Sequence, residues 1–487
     1  MVIYRNRVIA ALIIWVLGQK AANGQVVLSL EEGNVIGAQN YVANFNTGQV
    51  SIPLTGILST AWQNIPVQMR NSGSASLTNG GSSFPAGNIS FELISIGGIA
   101  PGSPGFVGAP VGPVNLSSSF QTIFSPTEAG SNAPTGAIIG RYSISRATLN
   151  NYQLIAGSYT GGNLIYNQPT SSIIQLLIGY RYITPFPVPL SLSIPYINKW
   201  VASTTSFTRN YNNVSSFTAP VDLDFNLSTF SVGHTEPAFI DIKAQGPITF
   251  TPHGGGAATS IPVNIVQAQG SGLTTTALST SYATLNAPGF AVPAGNITTI
   301  PLILKITSAN VVQHFFRAGT YTFNVDLRTR NSGGTIADLK TIAFTITTDP
   351  LSSIAVQGTP DVNFSYGSLA DYQMSKSINM PNHLLITNNK NYEVYVKSGT
   401  ANFTRNSMAT TIPASIAQIE NGTGETTVTG RTLSTTSQSI ITNAGSIINR
   451  QLSLKYTIPA SQTLQFLGKQ TGTTPYILNV IYSFTSL

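Results

Sequence analysis

The residues that could do chemistry in this chain are few and scattered. Pro252-His253-Gly254-Gly255-Gly256 has the pattern of a loop that turns backbone amides toward an oxyanion in acyl-transfer hydrolases. That chemistry also needs a G-x-S-x-G elbow between a strand and a helix, and neither the pentapeptide nor alternating helical segments are present, so a flexible glycine loop between strands is expected. The four histidines, His234, His253, His314 and His383, include no pair at H-x-x-x-H spacing. Asp222, Asp224, Glu236 and Asp241 lack the D-x-[DN]-x-[DN]-G order of a calcium loop and read as solvated acids. No pair of carboxylates stands out for glycoside hydrolysis. Sugar binding by aromatic stacking is the softer option. Trp62 precedes the alternating Ile65-x-Val67-x-Met69 and is expected in a core, whereas Trp200, in Tyr196-Ile-Asn-Lys-Trp200, is the candidate ligand contact. No catalytic residue, cofactor site or metal ligand is assigned.

Composition narrows the class further. Charged residues make up 8% of the chain, so its polar surface is carried by hydroxyls and amides. Arg5 and Arg7, the apolar run from Val8 to Leu17 and the small residues at Ala22-Asn23-Gly24 have the order of a secretory signal, with cleavage expected after Gly24 or, as second choice, Ala22. The apolar run is well short of the ~20 residues that span a bilayer, and no later segment approaches that length. Removing Arg5, Arg7 and Lys20 takes the net charge from +7 to +4, too little and too scattered for nucleic acid. Cysteine is absent, which excludes disulfides, thiolate nucleophiles and Cys-ligated metals.

Stepping along the chain, short period-2 runs dominate, the clearest being Tyr321-x-Phe323-x-Val325-x-Leu327 and Tyr476-x-Leu478-x-Val480-x-Tyr482-x-Phe484. With turn residues every ten or so positions, they predict an all-β sandwich protein. Three elements repeat. Strands opening at Val67, Ile240 and Val394 each end in a basic residue and a glycine turn; Ala156-Gly157-Ser158-Tyr159, Ala318-Gly319-Thr320-Tyr321 and the looser Gly472 to Tyr476 put a glycine ahead of a tyrosine. The third element is Tyr211-x-x-Val214-x-x-Phe217, matched by Tyr366-x-x-Leu369-x-x-Tyr372. Phe217 to Tyr321 and Tyr372 to Tyr476 are both 104 residues, and both elements recur at an offset of 155. Two independent motifs at one spacing predict a duplication, with a more diverged first copy carrying extra loops in Gly97 to Pro113. The expected organisation is a signal over 1–24 and three tandem immunoglobulin-like sandwiches over 25–186, 187–349 and 350–487, with junctions in the Pro185-Phe-Pro187-Val-Pro189 run and at Asp349-Pro350.

The Ala318-Gly319-Thr320-Tyr321-Thr322-x-x-Val325-x-Leu327 pattern resembles the end of fimbrial subunits of the spore-coat-U type, and Tyr476 to Phe484 is similar to the terminal strand of chaperone–usher pilins. The whole also resembles tandem-domain secreted proteins of Bacteroidetes-like bacteria. These resemblances imply a pilin-like sandwich, a surface location, assembly with other fimbrial subunits or with itself, and no catalysis. The expected function is therefore a non-enzymatic, secreted structural or adhesive protein; the alternative is a secreted monomer that binds a glycan. After Tyr321 to Leu327 the chain adds Ile342-x-Phe344-x-Ile346, whereas three residues follow Phe484, so the last domain is expected to lack one strand. Val26, Leu28 and Leu30, on one face of residues 25–30, are the candidate donor strand for the last domain of another copy.

Overall fold

The computed structural model describes residues 25–50, 66–104, 107–126, 136–167, 187–469 and 472–487. The expected signal and Trp62 lie outside them. The fold is all-β. Its most extended helix, Ser308–Phe315, opens with the Thr307 hydroxyl accepting the Asn310 amide. Alternation in sequence becomes alternation in burial: along Gly319–Arg330, Tyr321, Phe323, Val325 and Leu327 are buried while Thr322 and Asn324 face water.

Among the described residues, buried apolar side chains gather into three clusters, over residues 26–197, 200–351 and 384–458. Each is enclosed by its own sheets, and among the described residues no sheet runs from one cluster into the next. We call each cluster with its sheets a unit. In the first, the sheet order Val26–Ser29, Pro187–Ile194, Gly157–Asn167, Val67–Asn71 and Gln121–Pro126 is accompanied by a four-stranded sheet built on Gly136–Ile144. The middle unit orders Ser206–Tyr211, Ile336–Thr348, Gly319–Arg330, Phe239–Ala244 and Ala283–Thr284 in the same way. In the last, Val480–Ser486, Tyr392–Ser398 and Gln438–Ala444 form one sheet, and Lys376–Asn388 and Ile447–Ile458 anchor the other. Pro187–Ile194, expected to open the middle domain, pairs instead with Gly157–Asn167 and Val26–Ser29, and its Val188, Leu190 and Leu192 join the first cluster.

The repeats occupy equivalent places. Val67–Asn71, Phe239–Ala244 and Tyr392–Ser398 each pair antiparallel with the strand that follows the repeated glycine–tyrosine element. Ile242 faces Leu327 and Val396 faces Tyr482, the same register one repeat later. In the first unit Met69 faces Tyr166, one place further along, because a bulge between Tyr159 and Gly162 absorbs a residue. The glycine of the element is dictated by crowding: a Cβ on Gly319 would sit 2.3 Å from the Thr251 carbonyl oxygen. Tyr321, fully buried, donates to the Arg317 carbonyl at 2.7 Å, and Tyr159 accepts the Ile155 amide at 2.7 Å, so both rings are pinned four residues upstream.

One buried asparagine holds each junction. Asn296, with φ 62°, accepts the Leu154 amide at 3.3 Å and donates to the carbonyls of Leu154 (2.7 Å) and His234 (3.0 Å), tying the first unit to the middle one. Asn389 accepts the Leu351 amide and donates to the Asp349 carbonyl, both at 2.7 Å, while its own carbonyl accepts from Ala318 of the middle unit at 3.1 Å. Buried amides that satisfy backbone groups from both sides fix their relative placement.

Candidate functional site

The chemistry-bearing residues of the sequence are not brought together. His253 to Gly256 is an exposed turn with φ of 87°, 98° and 128° at its three glycines. His234 is buried, with ring nitrogens 2.8 Å from the Glu236 carbonyl oxygen and the Thr298 hydroxyl. Asp222 pairs with Lys305 at 2.6 Å, and buried Asp241 with Arg328 and Arg330 at 2.9 and 3.0 Å, rather than converging on a cation. Among the described residues no three His, Asp or Glu side chains could hold a metal.

Two candidates from the sequence need correcting. Trp200 is only 6% exposed and packs edge-to-face on Phe230 at 5.7 Å, so its ring belongs to the middle core and offers no open face to a sugar. Val26–Ser29 is integral to the first unit's sheet, parallel to Leu190–Ser193; Val26 and Leu28 are fully buried and Leu30 nearly so. Their alternation fills their own core, so they are not available to another copy.

What stands out is the edge of the last unit. In the middle unit Ile336–Thr348 lies between two strands, antiparallel to Gly319–Arg330 and parallel to Ser206–Tyr211, and buries Ile342, Phe344 and Ile346. In the last unit the counterpart of Gly319–Arg330 is Val480–Ser486 with the residues leading into it. One side is matched: the Thr404–Ile477 bridge repeats the Thr249–Thr322 pairing at the 155-residue offset. On the other side, among the described residues, no strand pairs with it. The burial follows. Tyr476, Leu478, Val480, Tyr482 and Phe484 are all half-buried, where Tyr321, Phe323, Val325 and Leu327 are enclosed. Tyr476, which opens the alternating run in the sequence, thus lies partly exposed and ahead of the strand proper, with Arg405 Cζ 5.2 Å over its ring.

The far wall of this opening was missed in the sequence, although the offset could have found it. Adding 155 to Phe207 and Phe225 gives Val362 and Met380. Both are partly buried and pack against the last core, as Leu478 and Val480 do. Residues 361–366 form no ladder, whereas their counterpart Ser206–Tyr211 is paired along its length. Tyr366 stacks on Tyr372 at 5.0 Å and on Phe466 at 5.2 Å, and Phe466 meets Tyr476 at 6.2 Å, so an aromatic chain closes one end of the opening.

Beneath it, His383 is buried with Nε2 3.0 Å from the Tyr456 hydroxyl, which in turn hydrogen-bonds Tyr482; Nδ1 has no hydrogen-bond partner among the described residues. Burial pulls the imidazole below its ordinary value, and among the described residues no carboxylate hydrogen-bonds or pairs with it. Because the folded state favours neutral His383 more than the unfolded chain does, stability that is present above the ordinary histidine pKa near 6.5 is lost as the pH falls below it. Melting of the last unit should therefore drop between about pH 7 and pH 5, and a His383→Gln variant should show a flatter profile there. An identical slope in that variant would count against the assignment.

No protein-family model matches the chain, and no curated protein matches it. Solved structures with a similar backbone include the CooA pilin subunit of enterotoxigenic Escherichia coli, at 17% identity over 32% of this chain and 99% of that one, with a TM-score of 0.23. Others are the CsuC–CsuE chaperone–tip adhesion subunit complex of Csu pili from Acinetobacter baumannii (16%, 58% and 99%, TM-score 0.27) and CfaE, the adhesive subunit of CFA/I fimbria of enterotoxigenic E. coli (11%, 68% and 99%, TM-score 0.28).

Proposed function

We propose that this protein is a secreted, non-enzymatic structural or adhesive component of a cell surface, made of three sandwich units divided near residues 197 and 350, the last of which accepts a strand from another chain. The observation that supports this reading is the contrast between Gly319–Arg330, enclosed on both sides, and Val480–Ser486, half-covered along its whole inner face. An open edge beside a partly uncovered core is a state that proteins manage by pairing or covering, and adding a strand supplies main-chain hydrogen bonds and fills alternate side-chain positions at once. Because Val26–Ser29 is committed to its own sheet, the chain accepts a strand without offering this one, which suits a subunit at one end of an assembly. Residues 1–24 would direct export.

Immunogold labelling of cells that express the full chain tests this. Label outside the cell at the ends of fibres is expected; label confined to the cytoplasm, or a free monomer in the medium with no cell-associated fraction, would refute it.

A further inference from the structure

We infer that the outer face of the middle unit carries a binding site for an oxyanion, the carboxylate or sulfate group of an acidic ligand, built from Arg328, Lys243 and Tyr282. On this face the cross-strand pairs are charged. Asp241 stands opposite Arg328 and Lys243 opposite Asp326, with Arg330 two places further along the strand of Arg328. In a chain with 8% charged residues this is a dense group, and its three cations meet two carboxylates.

Both carboxylates are nearly enclosed and already satisfied. Asp241 accepts Arg328 Nε at 2.9 Å, Arg330 Nε at 3.0 Å and the Thr284 hydroxyl at 2.8 Å. Asp326 accepts the Gln245 amide at 2.9 Å and the Thr341 hydroxyl at 2.7 Å, whereas Lys243 Nζ stays 3.7 Å away, beyond hydrogen-bond distance. The cations are not satisfied in return. Among the described residues neither Nη of Arg328 nor Nζ of Lys243 makes a hydrogen bond.

Because Arg328 is held through Nε, the paired N–H groups at the end of its guanidinium are left for a ligand. That pair matches two oxygens of a carboxylate or of one edge of a sulfate. Both sets of donors are held at one ring: Arg328 Cζ lies 3.7 Å and Lys243 Nζ 4.7 Å from the Tyr282 centroid. Contact with the ring restricts both side chains before a ligand arrives, so an anion that meets them has less ordering to offset.

The fold does not require this arrangement. At the same register the last unit puts Tyr395 opposite Ser483 and Lys397 opposite Ile481, and in the first unit Arg70 faces Ile165. The basic residue at the strand end recurs in all three units. Neither of the other two has an aspartate at these places, or an arginine opposite one, so the group is an addition to the middle unit and not part of what makes the sandwich.

The test passes the full chain over immobilised dextran sulfate and carboxymethyl-dextran, with plain dextran as reference, in surface plasmon resonance. Saturable binding to one or both charged polymers is expected, which separates sulfate from carboxylate as the preferred group, and binding should weaken as salt rises. Inorganic sulfate or acetate should displace the chain more effectively than chloride at equal ionic strength. Lys243→Gln leaves the Asp241 bonds intact and should weaken binding roughly tenfold, as should Arg328→Gln, the loss expected for a hydrogen bond to a charged group. Unchanged amide exchange at Ile336–Thr348 in Lys243→Gln shows that the unit remains folded. Lys397→Gln removes the same charge at the same register of the last unit and should change binding by less than about twofold. An equal loss in Lys397→Gln would reduce the binding to net charge and overturn the inference. So would full binding by Lys243→Gln, no binding to either charged polymer, or displacement by chloride as effective as by sulfate and acetate.

Discussion

Tyr321→Ala should destabilise the middle unit by roughly 3–5 kcal/mol, the range for removing a large aromatic side chain from a core. The ring is 1% exposed, stacks on Phe250 at 4.5 Å and touches Phe315 at 4.9 Å, and its hydroxyl is bound to the Arg317 carbonyl. Tyr321→Phe isolates the hydroxyl and should cost about 1 kcal/mol. Tyr476→Ala, at the equivalent place in the last unit, should cost clearly less, about 1–2 kcal/mol, because the ring is already partly in water. A chain with three cores does not melt in one step, so the comparison belongs to native-state hydrogen exchange in Gly319–Arg330 and Val480–Ser486. Equal losses at the two tyrosines would mean that the last unit's core is as well covered as the middle one, and the open edge would have to be abandoned.

Asn296→Ala is expected to loosen the first junction. The substitution strands the Leu154 amide and the Leu154 and His234 carbonyls, each costing about 1–3 kcal/mol if left buried without a partner. It also places alanine at φ 62°, a further cost of about 1–2 kcal/mol. Asn296→Gly relieves the backbone cost alone, so the difference between the two variants separates strain from lost hydrogen bonds. Small-angle scattering should show a broader distribution of lengths, and protease cleavage near Leu154 should accelerate several-fold. Unchanged scattering and cleavage in Asn296→Ala would show that the Ala156–Thr235 and Gly295–Tyr152 backbone bonds suffice to hold the junction.

Strand faces were legible because period two reports which side of a residue is buried, and the repeats were legible because a spacing survives where identities do not. Which strand lies next to which is another matter. The alternation of Val26, Leu28 and Leu30 says that they need a core but not whose, and the parallel partner at Leu190–Ser193 lies far along the chain. The prolines at 187 and 189 suggested a junction because proline cannot donate to a ladder. In fact Val26–Ser29 covers only Leu190 to Ser193, so both prolines fall where the strand has a single neighbour and their missing donors are not needed. Trp200 looked accessible because it sits near a junction, yet in Asn198–Ala202 it points at Phe230. The junction asparagines carry no sequence signal at all, since an asparagine in a turn reads the same whether or not its amide bridges two cores.

The parallel pairs that close the first two units have a mechanical meaning. In the middle unit the chain comes in along Ser206–Tyr211 and goes out along Ile336–Thr348, with Ser206 to Tyr211 paired to Ala343 to Thr348. The first unit is closed in the same way, by Val26–Ser29 against Leu190–Ser193. Tension along the chain pulls two parallel neighbours in opposite directions, so the load falls in shear on every bond of the ladder together rather than on one bond after another. Among the described residues, 361–366 have no such partner, and the last unit is therefore the weak link under tension. A pulling experiment should see this unit yield at the lowest force.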